Sequence, residues 1–306
     1  MKKQKIRIGV IGIGYLGKFH LEKFQKNKDC QLVWLIDKNI KNLKNYKDKY
    51  NVSTNYKEIV DDVDAVSIVT PTVNHYEIAR YFIEKNKHVL IEKPMTQTVS
   101  EAKKLINLAK KHKKIIQIGH LERFNPVIRK VSSLIKNPLF IEVHRLAQFN
   151  PRSTDVNVVY DLMIHDIDIT TSLVPSKIKK ISSFGKSIIT NKIDIANARL
   201  EFFNGTIANL TASRISQKSE RKIRIFEKDK YLSLDFLQPK LKIVEKVKKK
   251  SSKLFKTLEY NYKKTDALND EIIDFINSIR MNKKPLVDGI QGMEALKLAA
   301  AISKKL

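Results

Sequence analysis

Residues 6–17 read Ile6-Arg7-Ile8-Gly9-Val10-Ile11-Gly12-Ile13-Gly14-Tyr15-Leu16-Gly17. The apolar run to Ile11 predicts a buried strand, the glycines a tight turn, and residues 16–24 a helix. A second apolar run, Leu32-Val33-Trp34-Leu35-Ile36, ends at Asp37, twenty residues after Gly17. Strand, glycine turn, helix, strand and carboxylate form the order that binds the diphosphate of a dinucleotide. Gly12 makes the turn, Gly14 lets backbone N–H groups approach the phosphates, and Gly17 lets the helix pack closely on the strand. With Tyr15 and Leu16 they form a candidate cofactor loop at the positive end of a helix. Asp37 can accept the ribose hydroxyls and would repel a 2′-phosphate, which points to NAD over NADP. Lys38 and Lys41 soften that preference.

The same alternation continues outward. Residues 65–69, 88–91 and 115–118 are strand-like, residues 74–84 and 99–112 helix-like, and a polar, helix-compatible stretch follows Asp37 to Tyr50. Strands alternating with helices predict an α/β fold with a doubly wound parallel sheet, whose ligands bind at the carboxyl ends of the strands. After about residue 122 the pattern changes. A helix is expected over 126–135, then strands over 140–146, 196–203, 206–213, 222–227, 231–236 and 240–247. Asn204-Gly205 is a strong hairpin signal and Lys228-Asp229-Lys230 a weaker one, so this sheet is expected to be mostly antiparallel. Two helices, 267–280 and 290–304, close the chain. The expected division is a Rossmann domain over 1–121 and a second α/β domain over 122–306.

The chain has 306 residues, enough for two domains, with 59 lysines and arginines against 32 acids and a net charge of +27. Lysines are spread along the whole chain and arginines are scarce, so the charge reads as a dressed surface rather than a nucleic-acid site. One denser cluster comprises Lys246, Lys248, Lys249, Lys250, Lys253 and Lys256. The positive field attracts anionic substrates. No apolar run is long enough to cross a bilayer. Lys2, Lys3, Lys5 and Arg7 before an apolar run imitate a secretory signal, but the glycine turn explains that run better. Cys30 is the only cysteine, so no internal disulfide is possible, and a cytoplasmic location is expected.

Three further segments can carry chemistry. Glu92-Lys93-Pro94 follows a strand, at the edge where a nicotinamide would lie. A lysine there can hold a substrate hydroxyl and stabilise a forming alkoxide; the competing reading is one more surface lysine. The Lys93–Pro94 bond is a candidate for the cis form. Asp161 and His165 stand four apart and share a face if the segment is helical, giving a histidine base beside a carboxylate. The alternative is a buried histidine satisfied by a neighbouring acid. No second histidine or cysteine lies at ligand spacing, so no metal is expected. Gly119-His120-Leu121-Glu122-Arg123-Phe124-Asn125-Pro126 lies at the domain junction, where Arg123 and Asn125 can bind a polar substrate or cap the next helix. His20, Thr72 and His75 fall at strand-to-helix turns on the cofactor side.

Together these residues resemble the glucose–fructose oxidoreductase / inositol dehydrogenase family, Gfo/Idh/MocA. The marks are Gly12-x-Gly14-x-x-Gly17, Thr70-Pro71-Thr72 with His75, Glu92-Lys93-Pro94, and Asp161-x-x-x-His165. The resemblance covers essentially the whole chain. It implies a Rossmann domain, a C-terminal domain with an open, mostly antiparallel sheet that commonly forms a homo-oligomer interface, and a pocket between the domains. It implies catalytic roles for Lys93, Asp161 and His165, and cofactor contacts at Thr70, Pro71, Thr72, His75, Glu92 and Lys93. Arg123 and Asn125 at the junction, and Arg152, are with Lys93 and His165 the candidate substrate residues. Residues 119–126, and 149–156 running into 161–167, also resemble a bacterial subgroup that oxidises the 3-hydroxyl of UDP-N-acetylglucosamine in lipid A precursor synthesis, ahead of an aminotransferase. A dehydrogenase of a free sugar or polyol would use the same three catalytic residues, and a silent nucleotide-binding regulator would lack them.

Overall fold

The computed structural model describes residues 4–151, 156–247 and 254–306. The expected substrate residue Arg152, and Lys248, Lys249, Lys250 and Lys253 of the basic cluster, lie outside the described residues.

The chain opens with β1 (Ile6–Ile11), α1 (Tyr15–Lys26), β2 (Cys30–Ile36), β3 (Asn51–Ser53), β4 (Ala65–Ile68), α2 (His75–Glu84), β5 (His88–Glu92), α3 (Val99–His112) and β6 (Ile116–Gly119). These strands form one sheet in the order β3-β2-β1-β4-β5-β6, every neighbouring pair parallel. β4 and β6 are buried at every residue, as strands covered on both faces must be. The polar stretch after Asp37 forms a 3-10 turn over Ile40–Tyr46 and then β3, rather than one helix to Tyr50. Leu43 is its only buried residue, too little apolar surface to hold a full helix in place. The strand order reverses between β1 and β4. The carboxyl ends of β1, β2, β4 and β5 therefore carry the glycine turn, Asp37, Thr70 and Lys93 along one edge.

The second sheet is built from β7 (Phe140–Leu146), β8 (Ile178–Lys186), β9 (Ile195–Phe202), β10 (Ile207–Ser213), β11 (Glu220–Glu227), β12 (Lys230–Asp235), β13 (Lys240–Lys246) and β14 (Phe255–Asn261). Two helices, α4 (Pro126–Ser132) and α5 (Ile164–Leu173), accompany it. Its order is β14-β13-β12-β11-β7-β10-β9-β8, antiparallel except where β7 pairs with β10. Burial alternates along β7, β9 and β10, so one face carries the core. Both expected hairpins form, with Gly205 and Asp229 at positive φ in their turns. β8 and β14 are additions to the strands read from sequence.

The chain then returns. α6 (Ala267–Met281) places Ile272, Phe275 and Ile276 in one cluster with Ile8, Phe24 and Leu35. Residues 1–121 and 266–296 thus make one compact unit, and residues 122–265 and 297–306 the other. The last helix is α7 (Gly289–Ser303). The division after residue 121 is the first of three crossings; the amphipathic period of α6 marks a buried face without saying which core receives it.

Candidate active site

The glycine turn is shaped by backbone contacts. Gly12 has a φ of 95°, and a Cβ there would overlap the Val69 carbonyl. A Cβ on Gly17 would overlap the Gly12 carbonyl oxygen. Only glycine fits either position. Gly14 is different, since a Cβ on it would meet nothing within 4 Å. The space belongs to whatever approaches the loop. No side chain caps α1 at Gly14, and Tyr15 and Leu16 stand exposed at its first turn. This cradle fits a diphosphate. The Asp37 carboxylate closes one side of it. Oδ2 accepts from the Ile13 N–H at 2.7 Å and from Asn42 Nδ2 at 3.1 Å, and Oδ1 accepts from the Asn39 N–H at 2.8 Å. Asp37 is thereby pinned beside the turn, with acceptor capacity left on Oδ1.

Lys93 is half-buried and follows β5 directly, and the Lys93–Pro94 bond is cis. Two of the expected cofactor residues, Glu92 and His75, turn inward. Glu92 is buried. Its Oε1 accepts from His20 Nε2 at 3.0 Å, and its Oε2 from the Lys93 N–H at 3.1 Å. Burial opposes the carboxylate charge, but His20 and Lys93 together hold its pKa below the usual glutamate value. Gly119 on the neighbouring strand leaves room for this carboxylate, since a Cβ there would stand 3.0 Å from it. His75 is buried, with Nδ1 2.9 Å from the Pro94 carbonyl and Nε2 2.8 Å from the Thr70 carbonyl. Burial lowers its pKa, against the pull of the two carbonyls. His20 lies inside α1, on the buried face with Gly17, Leu21 and Phe24, and not in the turn where sequence placed it. Finding a histidine at a core position of an amphipathic helix was the available signal.

Glu271, on α6, was not read from sequence. Its carboxyl is buried, no hydrogen-bond partner among the described residues reaches either oxygen, and burial together with the nearby Glu92 charge raises its pKa well above the usual value. The proton bound in the fold is bound less tightly in the unfolded chain, whose glutamate titrates near about 4.3. The stability from the neutral form is thus fully present below that pH and is lost as pH rises through the folded pKa. Glu271→Gln keeps the neutral shape. Melts should nearly coincide with wild type at about pH 4.5, and the variant should be the more stable at about pH 8. Equal shifts at both pH values would contradict the assignment.

In the second unit Asp161 and His165 do share a helical segment, but its first turn, Val159–Met163, is a π turn that runs into α5. The Asn157 side chain starts it by accepting from the Val159 and Tyr160 N–H groups. Extra-residue turns of this kind cluster at functional sites. The residues around His165 are clamped by buried charge. Arg145 on β7 grips Asp166 with two contacts, Nε to Oδ2 at 2.8 Å and Nη2 to Oδ1 at 2.9 Å. It also reaches Glu122 at 3.0 Å. Burial opposes the arginine charge, and Asp166 and Glu122 more than offset it, raising the Arg145 pKa. Two expected substrate residues have structural engagements. Arg123 reaches Asp168 at 3.3 Å, and the Asn125 side chain caps α4 through the Val127 N–H at 3.0 Å.

Residues 6–120 match the oxidoreductase family with an NAD-binding Rossmann fold, and residues 135–305 match that family's C-terminal alpha/beta domain. The chain belongs to the Gfo/Idh/MocA oxidoreductase family. UDP-N-acetylglucosamine 3-dehydrogenase of Acidithiobacillus ferrooxidans is 35% identical over 97% of this chain and 96% of its own. A solved structure of that enzyme overlays with a TM-score of 0.93, covering 99% of this chain and 98% of its own. Myo-inositol 2-dehydrogenase of Thermotoga maritima is 26% identical over 98% and 96%. The Gfo/Idh/MocA resemblance and the two-sheet α/β fold expected from sequence are thus met, and the protein is an oxidoreductase acting on CH–OH groups. Among the described residues no helix is long and apolar enough to cross a membrane.

Proposed function

We propose that this protein oxidises the 3-hydroxyl of UDP-N-acetylglucosamine to a ketone with NAD, supplying an aminotransferase in lipid A precursor synthesis. The observation that carries this reading is the full-length likeness to UDP-N-acetylglucosamine 3-dehydrogenase, 35% identical in sequence and 0.93 in TM-score. Bound in the glycine turn, NAD would supply the acceptor for the hydride. Gly12 to Gly17 would hold its diphosphate, Thr70, Pro71 and Thr72 would lie beside its nicotinamide, and Asp37 would bind its ribose. Glu92 and His75 serve the same edge through the Lys93 and Pro94 backbone they contact. His165 takes the hydroxyl proton, Asp161 orients the imidazole, and Lys93 holds the hydroxyl oxygen as negative charge builds on it. Arg123, Asn125 and Arg152 contribute to the sugar-nucleotide site, and the lysine-rich surface favours the arrival of an anionic substrate.

The test is NADH formation with UDP-N-acetylglucosamine, myo-inositol and glucose side by side. Hydroxylamine is added to trap the ketone, so that an uphill oxidation still registers. Turnover is expected with the nucleotide sugar, and NADH is expected to bind more tightly than NADPH. Turnover of inositol or glucose without the nucleotide sugar would replace the substrate assignment. A clear NADPH advantage would overturn the role of Asp37.

A further inference from the structure

Two buried histidines span the same pair of strand ends. His20 puts Nδ1 2.9 Å from Ser67 Oγ on β4 and Nε2 3.0 Å from the carboxylate of Glu92, the last residue of β5. His75 puts Nε2 2.8 Å from the Thr70 carbonyl, just past β4, and Nδ1 2.9 Å from the Pro94 carbonyl, just past β5. Lys93 sits between the two grips, and its own N–H completes the set by donating to Glu92. Both rings are about 1% exposed, so neither meets solvent or a ligand directly. Each leaves two polar ring atoms in the interior, an arrangement that is costly unless both find partners. Of these partners Glu92 and Pro94 flank the lysine, and the neutral His75 ring, lying between two carbonyl acceptors, donates its one N–H to one of them at a time.

We propose that His20 and His75 are positioning residues for Lys93. His20 acts through the Glu92 carboxylate and His75 through the Pro94 carbonyl, fixing the backbone on either side of the lysine. Ser67 on β4 and Thr70 just past it supply the anchorage. The inference rests on the catalytic reading of Lys93. It adds that the strand-end struts, and not the lysine side chain alone, set where its amine stands. Misplacing a reacting group by about 1 Å can cost roughly 10²-fold in rate.

The experiment is a double-mutant cycle read in kcat with UDP-N-acetylglucosamine and NAD. The variants are Lys93→Ala, His75→Leu, His20→Leu and each histidine variant combined with Lys93→Ala. NADH affinity, from nicotinamide fluorescence, reports that each variant is folded. The histidine variants should each lose about 10–100-fold in kcat, with a much smaller change in NADH affinity. In the Lys93→Ala background the same changes should cost little more, because the group they position has gone. His75→Gln and His20→Gln, whose amides still donate a hydrogen bond, should recover most of the rate even if the leucine variants fail to fold. Multiplicative losses in the doubles, or full kcat in both leucine variants, would overturn the proposal while leaving Lys93 catalytic. Full kcat in Lys93→Ala would instead remove the reading beneath it, and the proposal with it.

Discussion

Lys93→Ala and His165→Ala should each lower turnover at least about 10²-fold while NAD still binds. A positioned general base contributes about 10²–10⁴-fold, and loss of one preorganised donor to a developing oxyanion costs about 10²–10³-fold. Lys93 belongs to the first compact unit and His165 to the second. Neither belongs to the glycine turn or to the pinned Asp37, the proposed diphosphate and ribose sites, so turnover should fall far more than NADH affinity. Steady-state kinetics with a parallel NADH titration is the measurement. Near-normal turnover in either variant would remove that residue from the chemistry.

Arg145→Met should be the most damaging single change to the stability of the second unit. It leaves Asp166 buried without its cation and Glu122 with only Arg221, at 3.3 Å, and breaking a buried ion pair in this way typically costs about 3–5 kcal/mol. For a unit of this size that corresponds to a fall in Tm of roughly 10 °C. Removing the charge on both sides, as Arg145→Met with Asp166→Leu, should restore much of the loss, because the uncompensated carboxylate disappears with the arginine. A thermal melt decides this, and a single variant within about 1 kcal/mol of wild type would show that the clamp is dispensable.

Local chemistry was legible in the sequence and distant pairing was not. The glycine turn could be read because its three glycines, its strand and Asp37 fall within a short stretch whose geometry is set by backbone sterics. The hairpin at Asn204-Gly205 was readable for the same reason. The His20–Glu92 contact joins residues 72 positions apart, and Gln117 Nε2 donates to the Glu271 carbonyl across 154. No periodicity encodes such partners. The parallel pairing of β7 with β10 depends on a register that hairpin signals do not reach. Lone polar residues on apolar faces, such as His20, Glu122 and Asp166, were the one available hint of buried pairs.

The return of α6 to the first core bears on synthesis. The sheet from β1 to β6 is complete by residue 119, yet Ile272, Phe275 and Ile276 belong to the same apolar cluster. At about 5–20 residues per second, those side chains leave the ribosome on the order of ten seconds after the sheet they cover. For that interval the nascent Rossmann sheet has an uncovered apolar flank, while the whole inserted unit is being made. A truncation ending near residue 121 would keep that flank bare permanently, which argues for expressing the cofactor-binding half only with α6 attached.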